Sequence, residues 1–177
     1  RGATKYKEVR QAIAHLMDRN NFVQSFAGGY GVVTNGMYGT SQWMYKERGA
    51  DLEASDDFNK YTLNLEKANE LLDATPYKFE KDGKTAWDKA KADEEYSKNP
   101  DGFDYYRYDE NGNKLQVNQY GSDESPITTL ISNQVPVNAK QVGMEYNVTA
   151  GSFATLLDYY YRPKDDAEYT VFNMGLS

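Results

Sequence analysis

Cysteine is absent from this sequence, histidine nearly so, and no long apolar run occurs. Without cysteine there is no disulfide framework, no thiolate nucleophile and no thiolate-bound zinc. That absence suits an exported bacterial chain as well as a cytosolic one. The single histidine, His15, falls near the apolar stripe of a helical pattern and has no second His to converge with. It therefore reads as a packed helix residue and not as a base or ligand. No stretch approaches the roughly 20 apolar residues that a membrane helix needs. Positive charge is also short, with 20 Lys and Arg against 27 Asp and Glu, a formal charge of −7. An acidic chain lacks the basic patch required by nucleic acid or by anionic lipid headgroups.

Catalytic signatures are missing as well. Gly28-Gly-Tyr-Gly31 is glycine-rich but no Lys-Ser/Thr follows, so it fails as a phosphate loop. Neither Gly-x-Ser-x-Gly nor Ser-x-x-Lys occurs. The carboxylate runs Asp56-Asp57, Asp93-Glu94-Glu95 and Asp165-Asp166 lie in polar surroundings that give no reason for a raised pKa, and they read as solvated faces. Asp109-Glu-Asn-Gly-Asn113 offers oxygens, but its glycine is fourth rather than sixth and Tyr120 stands where a calcium loop needs Glu. A turn explains it. Asn147-Val-Thr149 matches a glycosylation sequon, a tripeptide frequent by chance. The sequence supports no enzyme, metal or cofactor.

What is present describes a packed domain. Hydrophobic residues make up 39%, charged residues 27% and aromatics 14%, a balance that supports a core and argues against disorder. Tyr is over-used, with 16 copies. Val9, Ala12, Ile13, Leu16 and Met17 fall at helical spacing over 8–17. Asp18 can cap a second helix that Gly28-Gly29 stops. Six glycines between 28 and 49 predict an extended loop displaying Tyr30, Tyr38 and Trp43. Asn64 opens a helix ending before Pro76, with Ala68, Leu71 and Leu72 inward. Helix-forming composition over 87–96 is followed by 103–120, which reads as a hairpin about the turn at 109–113.

The last third is the clearest. After strand 115–120, Ser125-Pro126 opens a helix whose inward positions are Ile127, Leu130, Ile131, Val135 and Ala139; Pro136 should kink it and Gly143 end it. Strand 144–148, helix 152–161 and strand 169–174 complete β-α-β-α-β, so the fold class is α/β, mixed because of the hairpin. Ligands of parallel sheets bind beyond the carboxyl ends of the strands. Those ends are Tyr120–Glu124, Thr149-Ala150 and Asn173–Ser177, the last read as the loop after a central strand.

Several segments then resemble one family in order along nearly the whole chain. Val9-Arg-Gln-Ala-Ile-Ala-His-Leu-Met-Asp-Arg19 is similar to the VRQAI…DR segment of the peptide/nickel solute-binding proteins of bacterial ABC importers. Gly28–Gly31 matches their glycine turn, and Asn64–Leu72 their D-P-E-K-A-K-x-L-L helix. Lys140–Tyr146 matches their helix-to-strand turn, and Ala167–Ser177 their G-D-Y-D-M…G-W strand and loop. Leu176 replaces that tryptophan, Thr75-Pro76 replaces a usual glycine, and 77–113 is a longer, more charged insertion.

The resemblance implies a type II periplasmic-binding-protein lobe. Residues 1–177 then form one excised carboxy-terminal lobe of a two-lobed protein, whose amino-terminal lobe and lipid anchor lie outside the chain. It implies a non-enzymatic, lipid-anchored protein on the extracellular face of the membrane or in the periplasm, delivering oligopeptides to ABC permease subunits. The ligand-facing positions it implies are Asn173, Met174, Gly175, Leu176 and Ser177. Next come Ser122, Asp123 and Glu124, where an acid could hold a ligand ammonium or simply cap the following helix, and then Asn35, Met37 and Tyr38. Two other readings stay open: another solute, such as a sugar or nickel complex, and a surface interaction module using 30–45 and 77–113.

Overall fold

A computed structural model describes residues 2–161 and 167–175. Helix α1 (Lys7–Ala14) buries Val9, Ala12 and Ile13 on one stripe. Helix α2 (Arg19–Ala27) begins where the Asp18 carboxylate accepts from Asn21 N and stops at Gly28, whose φ of 56° favours glycine. The extended loop expected over 28–49 holds only in its first part. Trp43 and Met44 open a helical run that passes through a π turn (Tyr45–Gly49) into α3 (Ala50–Ala54). The reason is local: five of the six glycines precede residue 40, and 41–54 is otherwise rich in helix formers. At Gly49 a Cβ would lie 2.1 Å from the Tyr45 ring, which rests on the bare backbone. Helix α4 (Leu65–Asp73) has Asn64 as its cap, accepting from Lys67 N, and turns Ala68 and Leu72 inward.

The carboxy-terminal part has the predicted order: β1 (Gln116–Ser122), α6 (Pro126–Gln141), β2 (Glu145–Gly151), α7 (Phe153–Tyr161) and β3 (Val171–Asn173). All pairing is parallel in the order β2-β1-β3, so β1 is central and β3 flanks it rather than being the central strand expected. Helix α6 runs on through Pro136, and Gly143 follows its end at φ 76°. The main core joins α1, α4 and α6 to the sheet through Leu16, Leu72, Leu115, Val117, Val135, Val142 and Met144, all buried.

Helix α5 (Lys89–Lys98), capped by Asp88, belongs to a second, smaller core of Trp87, Ala92, Phe103, Tyr106 and Tyr108. Of the hairpin expected over 103–120 only the tip forms, as one antiparallel bridge from Tyr108 to Lys114 across the turn, and Tyr108 also bridges Phe79. Backbone partners explain this, because 106–108 runs between the two cores. Arg107 N donates to Gly143 O, its carbonyl accepts from Leu115 N, and Tyr108 exchanges bonds with Phe79. Three neighbours share the hydrogen bonding that one ladder would have taken. The turn itself is as expected: the Asp109 carboxylate accepts from the amides of Asn111 and Asn113.

Candidate functional site

The three parallel strands end together, and their carboxyl ends gather Ser122, Asn173, Met174 and Gly175 on one edge. These residues line a cavity of about 380 Å³ with Phe26, Ser125, Ile127 and Phe153. A second cavity of about 570 Å³ adjoins it, walled by Ser25, Phe26, Asp123, Glu124, Ser125, Pro126, Thr129 and Leu130. Phe26 and Ser125 belong to both, so the two hollows share a wall.

Each wall has a local cause. Asp123 N donates to Gly151 O, which ties the loop after β1 to the end of β2. Ser122 Oγ accepts from Glu124 N at 3.3 Å, folding that loop back on itself. Ser125 stands at the N-cap of α6, yet its hydroxyl makes no capping bond and stays on the cavity wall. Phe26 and Phe153 keep about half of their surface open, 57% and 49% exposed, and with Ile127 and Met174 they form the apolar part of the lining. Among the described residues, the smaller cavity has no charged lining side chain, whereas the larger one carries Asp123 and Glu124.

Behind the edge runs a chain of polar groups, buried except for the half-buried Asn173. Tyr146 OH donates to Gln119 Oε1, Gln119 Nε2 donates to Asn173 Oδ1 at 2.9 Å, and Asn173 Nδ2 donates to Thr128 Oγ1 at 3.0 Å. Burial pushes the Tyr146 hydroxyl well above the usual phenol range, which keeps it a donor. Gly121 makes room for the crossing, since a Cβ there would lie 2.5 Å from both Asn173 Oδ1 and Thr128 Oγ1. The Asn173 amide is thus spent on internal bonds even though the residue borders the cavity.

The other expected positions are not brought to this edge. Asn35 lines a separate hollow of about 210 Å³ with Arg19, Lys60 and Tyr61. Its amide and the Tyr38 hydroxyl both donate to Glu53, which lowers the Glu53 pKa, while Met37 is 87% exposed. Leu176, Ser177 and the Asp165-Asp166 pair lie outside the described residues. Sequence reasoning missed Phe26 and Phe153. The signal for Phe153 was its place two residues past β2; for Phe26 it was an apolar side chain beside the glycine stop of α2. His15 is packed as expected, with Nδ1 against Thr62 O at 2.8 Å and its ring edge-on to Tyr61.

Comparison with solved structures shows where this fold recurs. The lactococcal OppA complexed with an endogenous peptide in the closed conformation superposes with a TM-score of 0.65 at 17% identity, over 97% of this chain and 27% of that one. NikA from Brucella suis in complex with Fe(III)-EDTA gives 0.62 at 16%, over 97% and 28%. AppA from Bacillus subtilis in complex with a nonapeptide gives 0.61 at 21%, over 93% and 27%. The chain therefore spans little more than a quarter of the length of these structures. A search among curated proteins by sequence finds no match. The model of the bacterial extracellular solute-binding proteins, family 5 Middle, matches residues 1–177. With that match over its whole length and this fold, the chain belongs to the family 5 bacterial extracellular solute-binding proteins.

Proposed function

We propose that this chain is one lobe of a lipid-anchored solute-binding protein that delivers oligopeptides to an ABC importer, and that the ligand lies on the hollow at the strand ends. The observation that carries the proposal is the convergence there of Ser122, Asp123, Glu124, Asn173, Met174 and Gly175 around two adjoining cavities. The setting suits a peptide. Main chain at strand ends offers hydrogen bonds that ignore side-chain identity, and the hollow leaves room for side chains and water. Phe26, Ile127, Phe153 and Met174 give an apolar wall, and Asp123 and Glu124 supply negative charge for a ligand ammonium group. No helix among the described residues is long and apolar enough to cross a membrane.

In this mechanism a second lobe closes over the ligand, and the closed form docks on the permease subunits. The lobe alone binds weakly, because the ligand then makes only part of its contacts. Calorimetry on the full-length protein with a pool of random pentapeptides tests the proposal. Saturable binding is expected, and it weakens for N-acetylated peptides or after Asp123→Asn with Glu124→Gln. Tight binding of a sugar or a chelated metal, with none of peptide, would replace the ligand class.

A further inference from the structure

We infer that Gln119 and Thr128 are positioning residues for the cavity wall: acting through Asn173, they hold the main chain of Met174 and Gly175 where it lines the hollow. The inference rests on reading that hollow as the ligand site. Strand β3 is three residues long and flanks β1 on one side, and its register ends at Gly121 opposite Asn173. Beyond Asn173 there is no further ladder among the described residues, yet Met174 and Gly175 form part of the cavity. The last anchor before the wall is therefore the Asn173 side chain, clamped from both sides.

One side of the clamp is the sheet. Gln119 is 1% exposed and lies between Tyr146 and Asn173, accepting from the first and donating to the second. The other side is α6, whose Thr128, 2% exposed, accepts from the Asn173 amide. Each amide in the chain both donates and accepts, so its angle is set by two partners and not by one. A Leu or Val at these buried positions would satisfy packing alone. The Gln119 amide and the Thr128 hydroxyl contribute direction, which burial does not require. Gly121 fits the same reading, since any side chain at that position would push Asn173 off Thr128.

The test combines two measurements on Gln119→Leu, Thr128→Val and the double variant. Without ligand, amide resonances of Met174 and Gly175 are expected to shift in each single variant, while those on α1 stay in place. In the full-length protein, titrated with the random pentapeptide pool, each single change is expected to weaken binding about tenfold. The double variant should be no weaker than the worse single one, because both losses pass through Asn173. Unmoved Met174 and Gly175 resonances, or losses that simply multiply, would overturn the inference. If wild-type protein binds no pentapeptide, the function proposal fails, and the resonances alone then decide whether Gln119 and Thr128 position this segment.

Discussion

Two long connecting stretches, 28–63 and 77–114, differ more than their compositions suggest. The second is the more charged, and the sequence presents it as a surface insertion. It is nevertheless closed around its own core. Arg107 has no exposed surface; its guanidinium donates to Val142 O, Tyr77 O and Asn69 Oδ1, pairs with Asp73 at 2.8 Å, and lies 4.0 Å over the Trp87 ring. The first stretch has more glycine and apolar side chains but no core. Tyr30, Val32, Met37, Trp43, Met44 and Leu52 are all at least half exposed. Its ends are drawn together by Arg19, which donates to Thr34 O and Asn35 Oδ1 on one side and to Tyr61 O on the other. Gln11 and His15, eight and four residues before Arg19, hold Tyr61 and Thr62 as well. Charge content therefore does not decide burial; the number of partners within reach of one rigid side chain does.

The comparison can be broken most sharply at Arg107. Arg107→Leu is expected to lower stability by about 3–5 kcal/mol, since it strands buried carbonyls that no other donor reaches. Urea denaturation measures it, and Arg107→Lys should restore little, because a point charge cannot serve partners in four directions. Gly143→Ala comes next, at about 1–3 kcal/mol. Its φ is 76°, and a Cβ would lie 2.7 Å from both Arg107 and Trp87. The expected sign is a lower urea midpoint with an unchanged slope.

Arg19→Ala tests the open stretch. It should cost about 1 kcal/mol globally, because its bonds are part-buried or exposed. Limited proteolysis within 34–61 should nevertheless accelerate while 77–114 stays resistant; equal acceleration in both would erase the contrast.

Smaller still is an acid effect on the closed stretch. Glu80 accepts from Tyr105 OH and Lys91, which hold its pKa below the ordinary 4.5, and burial with the Glu80 bond pushes the Tyr105 hydroxyl up to about 12. A depressed carboxylate pKa stabilises the fold above its ordinary value, and that contribution is lost as pH falls through the folded value. Glu80 is partly solvated, so the effect is a few tenths of a kcal/mol. Glu80→Gln should flatten the acid limb of the melting curve by that amount. Trp43→Ser closes the series within about 0.5 kcal/mol, because its ring is already 68% exposed.

Much of the fold was legible in the residues, and the reason is local chemistry. Asp18 and Asn64 accept bonds from the third residue on, as capping acceptors do. Apolar spacing marked α1, α4 and α6, and the β-α-β-α-β order followed from strand length and turn residues. The helical run at 43–54 was hidden because a glycine count over 28–49 averaged a glycine-rich half with a helix-forming half. The hairpin at 103–120 forms only at its tip because consecutive buried residues, Tyr106, Arg107 and Tyr108, lie between two cores.

The candidate site was legible to the extent that strand ends are. Ser122 to Glu124 and Asn173 to Gly175 followed from where parallel strands must stop. Phe26 and Phe153 did not, because they reach the hollow from helices packed against that edge. By itself, then, the sequence determined the caps, the helix faces, the strand order along the chain and the family. Tertiary structure alone decided that Arg107 lies inside, that β1 and not β3 is central, and that the Asn173 amide is clamped between Gln119 and Thr128. Periodicity reports which face of one element is buried. Which elements meet across that face depends on contacts between residues far apart in the chain, and no local pattern records them.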